Sequence, residues 1–311
     1  MRKIIFLLFI LTACTSAITS NVVKEYTQPT EVYFCPRDNC SNILINALQQ
    51  AQQIKCAIYD IDVPGVIHAL NSKNALLVLD DQSSNKSELV AIIDSKYTQM
   101  HNKFCILDNQ TVITGSMNPT IRDTMVNNNN LIIFHSKKLA QTYSNEFEEL
   151  YSGTFSGGKA TKDNVYYINN EIVSAYFCPE DWCANKVLYS LDTAQSSIYF
   201  MTFSFTHDQI GAMLIKKKNQ GLVVKGVMEK SQNNQYSEFN KLNESGIGIM
   251  WDKNKANMHH KVFIVDEKIV ITGSFNPSLN GDTKNDENLI IIHSKEIAQK
   301  YVNEFNLLFT P

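Results

Sequence analysis

Few features of this 311-residue sequence would mark a fibrous or linker-rich chain. Glycine (12) and proline (7) are sparse, which excludes collagen-like and low-complexity architectures. A basic excess is also missing. Lys+Arg is 28 against Asp+Glu 31, a net charge of −3, so the chain is not built to coat a polyanion, although a local basic site stays open. No apolar run approaches the roughly 20 residues that span a bilayer. The composition, 44% hydrophobic and 19% charged, does supply apolar residues for cores and excludes a disordered chain. The length suits about two domains.

The N-terminus reads as an export signal. Arg2 and Lys3 precede the apolar run from Ile4 to Leu11, and Leu11-Thr12-Ala13-Cys14 follows directly. Small residues before a cysteine at this place resemble the lipobox of prokaryotic lipoproteins, in which Cys14 would become the lipidated first residue. Ordinary cleavage, for example after Ala17, is the competing expectation. Setting Cys14 aside leaves six cysteines. Cys35-Pro-Arg-Asp-Asn-Cys40 and Cys178-Pro-Glu-Asp-Trp-Cys183 share the frame C-P-x-D-x-C. In an oxidising compartment each frame can close a local disulfide; a bridge between the frames is the rival pairing. Zinc fits less well, because the spacing is wide and no histidine accompanies it. Cys56 and Cys105 lie in apolar runs and read as small buried hydrophobes.

The architecture follows from an internal repeat. Residues 100–119 and 258–277 are identical at 12 of 20 positions. Tyr33-Phe34-Cys35-Pro36 recurs as Tyr176-Phe177-Cys178-Pro179, and Tyr143, Asn145, Glu146 and Phe147 recur as Tyr301, Asn303, Glu304 and Phe305. The offset is 143 at the Cys frames and 158 at the later motifs, so the first copy lacks 15 residues in between. Each copy alternates strand-like and helix-like segments, predicting an α/β domain. Lys103–Leu107 and Lys261–Val265 read as strands, each followed by a tight hairpin. The expected organisation is a signal segment over 1–20, a first domain over 21–155, a polar linker over 156–170 and a second domain over 171–311.

Chemistry concentrates in two matched constellations. His101-x-Lys103-x4-Asp108 precedes Gly115-Ser116-x-Asn118, and His259-x-Lys261-x4-Asp266 precedes Gly273-Ser274-x-Asn276. In a strand, residues i and i+2 share a face, so each His projects with its Lys. Lysine supplies charge, and Asn amide and Ser hydroxyl supply donors, for the free oxygens of a phosphate. Two imidazoles allow one to attack while the other protonates the leaving oxygen. This pattern resembles the phospholipase D superfamily, whose signature is the duplicated H-x-K-x4-D…G-S-x-N motif. The stretch from Met258 to Pro277 is especially similar to small bacterial periplasmic endonucleases and bacterial phospholipase-D-like proteins. The resemblance implies two α/β/α sandwich domains with mixed central sheets and one active site at their interface. It also implies a phosphohistidine intermediate, no required metal or other cofactor, and a monomer sufficient for one site.

His101 and His259 are thus the expected reacting groups. Lys103, Lys261, Asn118 and Asn276 are expected to hold phosphate. Ser116 and Ser274 divide evenly between phosphate donors and turn hydroxyls. Asp108 and Asp266 are expected to support the site without reacting. His135 and His293 recur without a lysine and read as structural; His68, His207 and His260 have no counterpart. The run Asn127–Asn130 reads as a polar loop. Glu287 stands 28 residues after His259, a spacing at which the family often places a carboxylate against the histidine ring; Asn129 takes this place in the first copy. By spacing, Glu287 would hold His259 and Asn129 would meet His101, making His101 the neutral nucleophile and His259 the general acid. The expected activity is that of an exported phosphodiesterase, membrane-anchored or periplasmic. Its expected substrate is a phospholipid head group, with an envelope endonuclease acting on DNA or RNA as the alternative and a catalytically dead phosphate-binding protein as the third reading.

Overall fold

A computed structural model describes residues 24–94, 98–162 and 164–310. The expected signal segment and Cys14 lie outside the described residues.

The first copy begins with β1 (Lys24–Glu25), β2 (Glu31–Cys35), α1 (Cys40–Gln50), β3 (Ile54–Ile58), α2 (Pro64–Ser72), β4 (Leu76–Leu79) and β5 (Ile92–Ile93). It continues with β6 (Lys103–Leu107), β7 (Thr111–Gly115), α3 (Ile121–Met125), β8 (Asn129–His135) and α4 (Lys137–Tyr151). The second comprises β9 (Val165–Ile168), β10 (Glu171–Cys178), α5 (Cys183–Asp192), β11 (Ser197–Thr202), α6 (Asp208–Asn219), β12 (Val223–Met228), α7 (Phe239–Glu244) and β13 (Gly248–Trp251). It closes with β14 (Lys261–Val265), β15 (Ile269–Gly273), α8 (Leu279–Thr283), β16 (Glu287–His293) and α9 (Lys295–Leu308).

Strand order in the first sheet is β2-β8-β7-β6-β3-β4-β5, and the second repeats it as β10-β16-β15-β14-β11-β12-β13. Both sheets are mixed: β3, β4 and β5 run parallel, as do β11, β12 and β13, and the other strands of this common frame pair antiparallel. The 15 extra residues of the second copy are spread between β11 and β14: α6 has 12 residues where α2 has 9, and the β12–β13 connection, which includes α7, is longer than that between β4 and β5.

The stretch expected as linker, 156–170, is only partly a connection. Its second half forms β9, which pairs with β10 and, on its other edge, with β1. The N-terminal strand of the first copy therefore extends the second sheet to nine strands.

Apolar alternation along these strands feeds three cores. The outer two lie under α1 and α2 in the first copy and α5 and α6 in the second. The central core joins the copies: α4 and α9 bury Tyr143, Phe147, Tyr301 and Phe305 among residues of both sheets. Tyr143 packs edge-on against Phe104 of its own copy and Phe177 of the other, each at 5.0 Å. Phe34 meets Tyr301 in the same way at 5.1 Å.

Three disulfides tie the described chain. Cys35–Cys40 and Cys178–Cys183 close the two C-P-x-D-x-C frames locally. The third, Cys56–Cys105, corrects the expectation that these two are free buried hydrophobes. They face each other directly across the antiparallel pair β3–β6, which brings the thiols together.

Candidate active site

The two histidines are delivered by a crossed pairing of the copies. The segment ahead of His101 bridges to the second copy through Met100 and Asp286, and the Asp286 N–H donates to the Gln99 carbonyl at 2.9 Å. The segment ahead of His259 bridges to the first through Met258 and Asn128, and the His259 N–H donates to the Asn128 carbonyl at 2.9 Å. Each histidine thus lies beside the start of the other copy's β8 or β16.

This crossing reverses the expected partners. Glu287 Oε2 lies 2.8 Å from His101 Nδ1, and Asn129 Oδ1 lies 2.9 Å from His259 Nδ1. The spacing of 28 residues is real, but the carboxylate serves the histidine of the opposite copy. Since a carboxylate and an amide oxygen accept, each ring donates from Nδ1 and leaves Nε2 for chemistry.

The motif serines act on these partners. Ser116 Oγ donates to Asn129 Oδ1 at 3.1 Å, and Ser274 Oγ donates to Glu287 Oε2 at 2.6 Å. Both hydroxyls also accept the N–H of the following strand residue, Asn130 or Asn288. The motif glycines are required at this point. Gly115 and Gly273 have φ of 136° and 132°, and a Cβ there would overlap the carbonyl oxygen of Asn130 or Asn288.

The lysines project with their histidines, as the strand period demands. Lys103 Nζ donates to the His101 carbonyl at 2.7 Å, and Lys261 Nζ to the His259 carbonyl at 2.8 Å. Each ammonium also lies over an aromatic ring, Lys103 over Tyr59 at 4.9 Å and Lys261 over Phe203 at 5.2 Å. The same two rings pack edge-on against His101 and His259 at 4.7 and 4.9 Å. Tyr59 and Phe203 follow β3 and β11 and escaped the motif-based reading.

One further residue was missed. Asp123 Oδ2 lies 3.3 Å from His259 Nδ1 and accepts both the backbone N–H and the side-chain amide of Asn118, each at 2.8 Å. Its repeat position is Gly281, so the first copy alone supplies this carboxylate. In sequence Asp123 reads as the third residue of a short helix capped by Thr120, and that bond is present too. Asn118 is thereby oriented. The Oδ1 atoms of Asn118 and Asn276 are buried without a hydrogen-bond partner among the described residues.

Asp108 and Asp266 do not support the site. They sit at the far end of β6 and β14, in left-handed hairpin turns with φ of 52° each. Asp108 accepts the N–H groups of Gln52 and Gln53, and Asp266 those of Gln195, Ser196 and Ser197, pinning the entry to β3 and β11. The run Asn127–Asn130 is not a polar loop: all four are buried, and Asn130 Nδ2 lies 3.0 Å from His260 Nδ1.

Burial sets the electrostatics. It pushes His101 well below the usual imidazole range, with the charges of Lys103 and Lys261 acting in the same direction. His259 falls to about 4 for the same reason, although the Asp123 carboxylate opposes the shift. Asp123 stays well below the usual carboxylate range, held by His259 and its hydrogen bonds against the cost of burial. Burial raises Glu287 to about 8 against the pull of both lysines. Lys103 falls to about 8 and Lys261 well below the ordinary lysine value, again through burial. Both lysines act on both rings, so the two motifs form one site. An anion bound between these four groups would favour the protonated form of each.

Comparison with known proteins agrees with this geometry. A family profile described as "Cardiolipin synthase, PLD-like domain" matches residues 24–151 and 187–309. The chain is 34% identical to a phospholipase D of Rickettsia bellii over 46% of its own length and 71% of that protein. It is 28% identical to a mitochondrial cardiolipin hydrolase of Chlamydomonas reinhardtii over 40% of its length and 56% of that protein. A phosphatidylserine synthase structure from Haemophilus influenzae shares the fold at 12% identity, with a TM-score of 0.66 over 89% of this chain and 86% of that one. Two copies of the family's domain, each bearing an intact motif and together building one site, make this chain a member of the phospholipase D superfamily and a phosphodiesterase of that type.

Proposed function

We propose that the chain hydrolyses a phospholipid at its head-group phosphodiester, leaving phosphatidic acid, through a covalent histidine adduct. The observation that carries the substrate class is a set of exposed apolar residues that closely follow the motif asparagines in sequence. Helices α3 and α8 start three residues after Asn118 and Asn276, and expose Ile121, Met125 and the adjacent Val126 on one side and Leu279 on the other. Such residues suit an acyl-chain surface. Asp60, Asp80, Asp81 and Asp94 all act on Tyr59, the ring beside His101, which favours a cationic head group and opposes a polyanion. The names of the Rickettsia and Chlamydomonas relatives support the same substrate class.

In this mechanism His101 Nε2 attacks phosphorus. The bond from phosphorus to the head-group oxygen breaks, and His259 gives its Nε2 proton to that oxygen. A water molecule then loses a proton to His259 and attacks phosphorus. The P–N bond breaks and His101 returns neutral. Lys103, Lys261, Asn118 and Asn276 hold the non-bridging oxygens. The roles rest on the two carboxyls. Asp123 is firmly ionised beside His259 and favours its protonated ring, whereas Glu287 is pushed up to about 8 and adds less charge beside His101. This assignment matches the sequence-based expectation for a different reason, since the partners are exchanged.

The chain would act in an oxidising envelope compartment, anchored through Cys14. The three disulfides and the lipobox-like Leu11-Thr12-Ala13-Cys14 support that placement. The test of substrate class is turnover of phosphatidylcholine vesicles against single-stranded DNA by the purified protein. Phosphatidic acid release with intact DNA is expected; DNA cleavage with unchanged lipid would refute it.

A further inference from the structure

The two copies bury the same glutamate and treat it in opposite ways. Glu304 on α9 is fully buried and is met by the guanidinium of Arg37, from the Cys35–Cys40 loop of the other copy, and by His260 Nε2 at 3.5 Å. Its repeat mate, Glu146 on α4, is also buried. The repeat mate of Arg37, however, is Glu180, and that of His260 is Asn102. Where one copy places the basic side chains of Arg37 and His260 against its glutamate, the other places the oxygen-bearing side chains of Glu180 and Asn102.

Glu146, Glu149 and Glu180 each offer a carboxylate oxygen within 4.8 Å of the others. Three observations outside this trio point to a missing cation. Asp286, 2% exposed, presents an Oδ2 atom with no partner among the described residues, and its charge acts on Glu146 and Glu180. Neither polar atom of the fully buried Asn102 side chain has a partner among them either. The loop after α4 closes on the cluster with backbone: the Ser156 N–H donates to Asp286 Oδ1 at 2.6 Å and the Lys159 N–H to Glu149 Oε2 at 2.9 Å. A Cβ on Gly158 would overlap Glu149 Oε2 and come within 3.3 Å of Glu180 Oε1. The ammonium of Lys159 is exposed and stays 3.9 Å from Glu149 Oε1.

We propose that Glu146, Glu149 and Glu180 bind one calcium ion, with the buried carboxylate of Asp286, its Oδ2 unpartnered among the described residues, completing the negative surroundings, and that the ion does for this half of the interface what the Arg37 guanidinium does for the other. Hard oxygen donors without nitrogen or sulfur, in an irregular arrangement, suit calcium better than zinc or magnesium. The ion joins α4 of the first copy to the Cys178–Cys183 loop of the second. It lies outside the His–Lys constellation and takes no part in the chemistry.

The test is calorimetric unfolding of the whole purified chain, stripped with EDTA and then titrated with calcium chloride, with magnesium chloride as control and binding stoichiometry read by isothermal titration. The melting temperature should rise by roughly 5 °C once free calcium is about a hundred-fold above its Kd. Glu180→Arg rebuilds the Arg37 arrangement. It should melt at or above the metal-free wild type, bind one calcium fewer and lose the thermal response. Should Glu180→Arg not fold, Glu180→Gln should fold and show the same loss. A wild type unmoved by calcium would overturn the proposal, the four carboxyls then sharing protons instead. A response retained in both variants would also overturn it, placing the ion elsewhere, for instance at Asp80, Asp81 and Asp94.

Discussion

Replacing Asp123 by Asn tests the least symmetric feature of the site. The change keeps the side chain's shape and removes the charge 3.3 Å from His259 Nδ1. At an effective dielectric near 20, a full charge at that distance interacts by about 5 kcal/mol. Asn118 donates twice to the same oxygen and Asn127 donates at 2.6 Å to the other, so the negative charge is shared. Roughly half of the interaction, about 2–3 kcal/mol, then stabilises the protonated ring, and kcat should fall about 30- to 150-fold. The pH profile gives the sign. Losing the carboxylate lowers the pKa of His259, so the limb along which rate falls with rising pH should move to lower pH. A substrate whose leaving group is stable as an anion needs no acid, and with it the defect should nearly vanish. The assays are steady-state turnover from pH 4 to 9 on phosphatidylcholine and on a nitrophenyl phosphodiester. An unmoved limb, or an equal loss on both substrates, would refute the role of Asp123 in holding a protonated His259.

Three other outcomes follow from the same structure. His101→Ala and His259→Ala should each remove nearly all turnover, and mixing the two variants should restore none; half activity in either would indicate two independent sites. Arg37→Ala leaves Glu304 buried with only His260 beside it, so it should cost about 2–3 kcal/mol in urea unfolding, and a loss under about 0.5 kcal/mol would show that the pair is unimportant. Cys14→Ser should release the chain from membranes into the soluble envelope fraction; a wild type that is already soluble and begins near Ser20 would refute the lipobox reading.

What was legible in the sequence was whatever depends on short range or on repetition. Lys103–Leu107 and Lys261–Val265 are strands with the expected bounds, because their apolar runs end in turns that Asp108 and Asp266 fix locally. The repeat revealed one fold used twice. Spacing could not reveal which copy serves which. Glu287 reaches His101 because Gln99–Met100 pairs beside Asp286, a contact 186 residues distant in sequence. The Cys56–Cys105 bridge depends on the register of β3 against β6, which neither strand encodes alone. Two-residue β1 is too short to show a period, so its place at the edge of the second sheet was not legible. Asp123 was hidden by a simpler purpose, since an acidic residue three positions after a helix-capping Thr is ordinary.

The central claim is that one composite site works through a covalent adduct on His101. The direct measurement is rapid quenching of the enzyme during steady turnover, under conditions that preserve phosphohistidine, followed by peptide mapping by mass spectrometry. It uses whichever of phosphatidylcholine and single-stranded DNA the protein turns over. A substrate-derived phosphoryl group on His101, and none on His259, is the predicted result. An adduct confined to His259, or turnover with neither histidine modified, would contradict it.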